Sequence, residues 1–161
     1  MNVNNYRAVR ILINELLIVQ ICHIYTFNEE PYAEFDDSNV ELDDCTFLGN
    51  QLLMSNSIVL QLSHEICDSV PYFLGYDIGN ESSFSTPKTV NGNLILWSLY
   101  IAASTSMASA EMRAWVAARL YWISRTMGIR QAVPLAYTLS INQELRDWQR
   151  GLDPECQQIS C

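Results

Sequence analysis

From Thr89 to Ala110 the chain reads TVNGNLILWSLYIAASTSMASA, with no charged side chain. A run like this must be shielded from water, either in a bilayer or at the centre of a fold. A bilayer-crossing helix needs about 20 consecutive, mostly apolar residues. Here the strongly apolar part stops near Ala103, and Ala and Ser fill the rest. Ser109 then has the chemistry of a helix N-cap, with Glu111 in the following turn, where the helix dipole favours an anion. The run therefore reads as a buried central helix over 92–106. Ala102, Ala103 and Ser104 let neighbouring helices approach closely, while Trp97 and Tyr100 fill the wider gaps.

The rest of the chain is also helical in pattern. Tyr6, Val9, Ile13, Leu16, Leu17 and Ile24 recur at helical spacing and predict a long helix over 6–27. Ile11, Leu12, Ile18 and Val19 fill the other side, so this helix is expected to be covered on most faces. A membrane helix over 11–27 is disfavoured by Asn14, Glu15, Gln20 and His23, each costly in hydrocarbon. A second helix is expected over 50–74, broken or kinked at Pro71 and stopped by Gly75. Met112, Trp115, Val116, Trp122 and Ile123 mark a further helix that ends at Gly128-Ile129. In that helix Arg113 and Arg125 are expected to face solvent, and Arg119 to be partly covered. A short last helix over 130–141 tolerates Pro134 only in its first turn. No period-two alternation appears. The expected fold class is all-α: a single irregular helical domain of about five helices, itself possible as part of a larger helical domain. The expected organisation is a helical region over 1–141 with an acidic loop at 28–49, then a polar tail over 142–161.

Charge narrows the function classes. No Lys or Arg occurs from Ile11 to Pro87, and thirteen acids lie there. With a net charge of −9, no basic patch is large enough to hold a phosphate backbone, so direct nucleic-acid binding is not expected. Eight of the acids fall in Asn28–Asp44, mixed with Tyr32, Phe35, Val40 and Leu42. That mixture reads as a solvated inter-helix loop, with an acidic interaction segment as the sharper alternative. The five cysteines are odd in number and lack a C-x-x-C spacing, which fits free thiols in a reducing compartment.

Sites of chemistry are sparse. The chain lacks the nucleophile-elbow, phosphate-loop, dinucleotide and zinc-protease motifs. His64, Cys67 and Asp68 share one helix face, but zinc prefers paired Cys and His ligands, and a partly exposed helix end is the plainer reading. No catalytic residue, cofactor or metal ligand is assigned, and an enzyme is not expected. The one candidate ligand pocket lies between the helices at 50–70 and 93–106, lined by Met54, Trp97, Tyr100 and Met107.

Read in order, NNYRAVRILINELL, SHEICDSVPYFLGY, LILWSLYIAAS and AEMRAWVAARLYWISRTMGIRQAVPLA form a recognisable series. The series resembles the C-terminal part of the fungal-specific transcription factor domain, the helical regulatory region of fungal zinc-cluster regulators. The resemblance spans roughly residues 4 to 140 and rests on the order and spacing of loose, mostly apolar motifs. It departs from the family at Trp97-Ser98-Leu99, where Trp-Pro-Leu is usual, and at Ala102-Ala103, where Ala-Gly is usual. The family's DNA-reading module needs six clustered cysteines. The five here are separated by gaps of 23, 22, 89 and 5 and cannot build it. The resemblance implies a regulatory, protein-interaction region acting in the nucleus. Its partners would be proteins of the transcription machinery or the remainder of a regulator, with no membrane and with room for a small-molecule effector. Two alternatives stand beside it: a small-molecule-sensing helical domain, and a truncated fragment without independent function.

Overall fold

The computed structural model describes residues 2–27, 41–75 and 89–152. Among them are six helices and no strand: α1 (Val3–Phe27), α2 (Glu41–Asp68), α3 (Val70–Leu74), α4 (Thr89–Ser104), α5 (Ala110–Met127) and α6 (Ala132–Leu152). The fold is all-α, in line with the sequence.

The charge-free run sits at the centre. α4 touches α1, α2, α3, α5 and α6. Ile95, Leu96, Ser98, Leu99, Ile101, Ala102 and Ala103 are all buried, so α4 is covered around most of its circumference. Its outward strip is Asn93, Trp97, Tyr100 and Ser104. The core gathers around α4 from Ile11, Val59, Ile66, Leu74, Val116, Leu120, Ile123 and Leu139.

α1 runs parallel to α4. Asn2 donates to the Leu94 carbonyl (3.1 Å), Ser98 donates to Asn5 Oδ1 (3.0 Å), and Ser106 donates to Glu15 (3.0 Å). α2 runs antiparallel to α1: Arg7 pairs with Glu65 at 2.8 Å, and Asn4 donates to Ser69 at 2.7 Å. The Glu65 carboxyl is held below its usual range, first by a hydrogen bond from Gln61 and then by Arg7.

The expected punctuation is present. Ser109 caps α5 by accepting from the Met112 amide at 3.1 Å. Gly128 (φ 72°) and Gly75 (φ 74°) end α5 and α3 in the left-handed region that glycine enters at least cost. Pro71 lies at the start of the five-residue α3, where its missing N–H removes no helical bond.

Several boundaries differ from expectation. α2 begins at Glu41, so residues 41–49 of the expected acidic loop are helical; residues 28–40 lie outside the described residues. Acids at the start of a helix are favoured by its dipole, which composition alone does not reveal. α6 continues to Leu152, so the expected tail from 142 begins inside a helix. Arg113 does not face solvent. It is 3% exposed, donating to Gln143 Oε1 (2.9 Å) and to the Thr105 carbonyl (3.2 Å). Its partners come from α6 and from the turn after α4, elements that periodicity within α5 cannot see.

Candidate interaction surface

The four residues of the expected ligand pocket do not line either described cleft. Met54 is 59% exposed on α2, and Trp97 is 51% exposed on the outward strip of α4. Tyr100 is half-buried beside it, with ring centroids 6.1 Å apart. Met107 is exposed in the turn after α4.

A cleft of about 430 Å³ opens elsewhere, between the end of α2 and the start of α5. His64, Cys67 and Asp68 form one wall; Ser109, Glu111, Met112 and Trp115 form the other. The sequence singled out the first three as a helix face, and that face does border a space. Its chemistry is quiet. Burial, aided by the Asp68 charge, pushes the Cys67 thiol up to about 11, so it is protonated at neutral pH and not a nucleophile. Among the described residues no three His, Cys, Asp or Glu side chains group to hold a metal ion. Ser109 is committed to its cap, and the Arg119 guanidinium lies 5.1 Å from the centre of the Trp115 ring. That stacked pair is one helical turn apart on α5.

The larger feature is the outer face of α1. Val3, Tyr6, Val9, Leu12, Ile13, Leu16, Leu17, Val19 and Ile24 are all substantially exposed, with Leu16 at 64%. This corrects the expectation of a helix covered on most faces. The six residues read as its apolar stripe, Tyr6, Val9, Ile13, Leu16, Leu17 and Ile24, are all on the outside. The inward face is instead Asn4, Ala8, Ile11, Asn14, Ile18 and Ile21. It buries two amides, and both are bonded. Asn4 donates to Ser69 and accepts from Arg7 (2.9 Å); Asn14 donates to the Arg10 carbonyl (2.8 Å). Hydropathy ranks the outer face as the more apolar, so periodicity alone points it inward. What distinguishes the two faces is Asn4, whose side-chain partner Ser69 lies 65 residues away, outside any helical period.

By length and composition, Val3–Tyr25 is also apolar enough to cross a bilayer. In this fold it is instead anchored along one side, through Arg7–Glu65, Asn4–Ser69 and Glu15–Ser106. Nine large apolar side chains are thus exposed along one helix, whereas such residues on an ordinary surface are scattered singly.

Neither a family model, nor a curated protein, nor a solved structure matches the chain. The surface therefore has to be interpreted from its own chemistry.

Proposed function

We propose that this chain is a non-enzymatic regulatory region of a fungal zinc-cluster type of transcription regulator. It works in the nucleus by protein contact, without touching DNA itself, and the outer face of α1 is where it meets a partner. The observation that carries the reading is that face: a row of large apolar side chains, turned to water by a fold that buries two asparagines instead. Such a surface has a free-energy reason to associate, because covering it releases apolar area from water.

The resemblance supports the regulatory part of the reading. Three of its motifs fall where helices begin or join, and the fourth falls on the central helix. Tyr6-Arg7 lies in the first turns of α1, and Ile66 to Pro71 spans the α2–α3 joint. Trp97 lies in central α4, and Met127 to Ala132 makes the α5–α6 joint. The net charge of −9 supports the absence of DNA contact.

The test is a fungal reporter in which the chain is fused to an unrelated DNA-binding module. Reporter output should depend on the fused chain and should change when Leu16→Glu places a charge on the outer face of α1. The purified chain should leave labelled promoter DNA unshifted at low salt. An output indifferent both to the chain and to Leu16→Glu refutes the proposal, as does tight sequence-specific DNA binding by the chain alone.

A further inference from the structure

We infer that the partner on α1 is a second copy of this chain, docked through an antiparallel α1–α1 pair. The inference rests on the reading of that face as an interaction surface and specifies its occupant. Along the outward side, Tyr6, Val9, Ile13, Leu16, Gln20 and His23 follow one another at spacings of three, four, three, four and three. That is the seam of a two-helix coiled coil. It lies on the opposite side of α1 from the residues that pack into the protein's own core.

The seam is self-complementary. In an antiparallel pair, each seam residue of one helix faces the alternate seam position of the other. Ile13 then meets Leu16 of the second copy, Val9 meets Gln20, and Tyr6 meets His23. The same three layers repeat across the two-fold axis, as a symmetric dimer interface requires. The centre is wholly apolar. The outer layers carry the polar groups of Tyr6, Gln20 and His23, at the rim where water reaches them.

Nothing charged lies in the seam, so no unpaired charge is buried by docking. The nearest charges are already engaged within the chain: Arg7 with Glu65, Glu15 with Ser106, and Arg10 over the Tyr6 ring at 5.9 Å. Exposed Leu12 and Leu17 flank the seam on either side and widen its apolar surface; a specific, stable interface of standard size buries about 800 Å² per partner. The face runs about 30 Å along the helix, the length of some twenty residues. A bilayer surface is the poorer occupant, because a chain of net charge −9 is repelled by anionic headgroups.

The two copies repel each other through the same charge. Screening that repulsion should strengthen the dimer, the opposite of what salt does to an interface held by ion pairs.

Sedimentation of the full chain at micromolar concentrations should give twice the 18.4 kDa chain mass, with dimerisation tightening between low and high salt. Leu16→Glu should weaken it on the order of a hundredfold while leaving the helical circular dichroism unchanged. Gln20→Leu, which removes the polar layer, should tighten it. Mixing an Ile13→Cys chain with a Leu16→Cys chain under copper–phenanthroline should give a 13–16 disulfide, mapped by mass spectrometry. A wild-type monomer throughout this range overturns the inference, as does a dimer that ignores Leu16→Glu or lacks the 13–16 link. A monomer that instead binds phosphatidylcholine vesicles also overturns it. If a monomeric chain still gives a reporter output sensitive to Leu16→Glu, the interaction surface stands and its occupant is a different protein.

Discussion

Truncating Arg113 to alanine removes a guanidinium that the fold holds at 3% exposure between α5, α6 and the turn after α4. The Thr105 carbonyl, in a residue that is itself buried, then loses its charged donor and keeps only the longer bond from the Ala108 amide at 3.4 Å. Gln143 loses its donor too, but it is half-buried and borders a cleft of about 240 Å³, so it can turn toward water. A hydrogen bond to a charged group contributes about 1.5–3 kcal/mol, and stranding a buried acceptor costs about 1–3 kcal/mol. Relief of the buried charge offsets part of this, so the net loss is about 2–4 kcal/mol. In urea that moves the unfolding midpoint down by about 1–2 M, for a slope near 2 kcal/mol/M. Two further variants separate charge from packing. Arg113→Met keeps the stem and removes the charge together with its desolvation cost, so it should be the mildest. Gln143→Leu takes the Oε1 acceptor away from the buried guanidinium and should cost more than Arg113→Met. If Arg113→Ala shifts stability by less than about 0.5 kcal/mol, as an ordinary surface substitution does, Arg113 is not the strut that ties α5 to α6 and the turn before it.

Other expected outcomes test the packing around the central helix and the cleft. Gly92→Ala should destabilise the fold, because a Cβ there meets Met127 Sδ and stands 2.8 Å from Ile129 Cδ1; overpacking of about 1–3 kcal/mol exceeds the roughly 1 kcal/mol that alanine gains over glycine in a helix. Gly128→Ala should also lose about 1 kcal/mol, though no atom lies within 4 Å of its Cβ, because the strain is in the backbone at φ 72°; Gly128→Asn should recover part of that loss in thermal unfolding. Ser63→Ala should raise stability by about 1 kcal/mol, since its buried hydroxyl has no hydrogen-bond partner among the described residues; a loss of similar size would show that the hydroxyl is bonded. Cys67 should alkylate far more slowly than the exposed Cys22 at pH 8, scored by mass spectrometry of the labelled peptides. Because folding raises the Cys67 pKa, its linked stability is full below the unfolded value of 9.0 and declines as pH climbs toward about 11; a labelling rate that matches Cys22 would refute this.

Local chemistry carried most of the helix grammar. The cap at Ser109, the left-handed stops at Gly75 and Gly128 and the break at Pro71 each depend on one or two residues, so they can be read without knowing the fold. The burial of α4 was equally legible, because a run without charge has few other places to go. Arg113 was not, since Gln143 and Thr105, to which it donates, lie 30 and 8 residues away, outside any helical period. The start of α2 at Glu41 was hidden for a different reason: its first turns are acidic, and composition takes acids for loop where the helix dipole accepts them.

The error over α1 has a more general cause, and it sharpens the functional reading. A period of apolar residues reports which face will leave water; it does not report what will cover it. The hydrophobic driving force is the same whether the cover is the chain's own core or another molecule. In α1 two apolar faces lie back to back. The fold covers one of them, and that is the face whose Asn4 reaches Ser69 at the α2–α3 joint. Asn4 would be expensive in a dry interface without Ser69, whereas Val9, Ile13 and Leu16 need no polar partner. The sequence periodicity was therefore wrong about which face of α1 the fold buries, and the face it marked most strongly is the one left exposed.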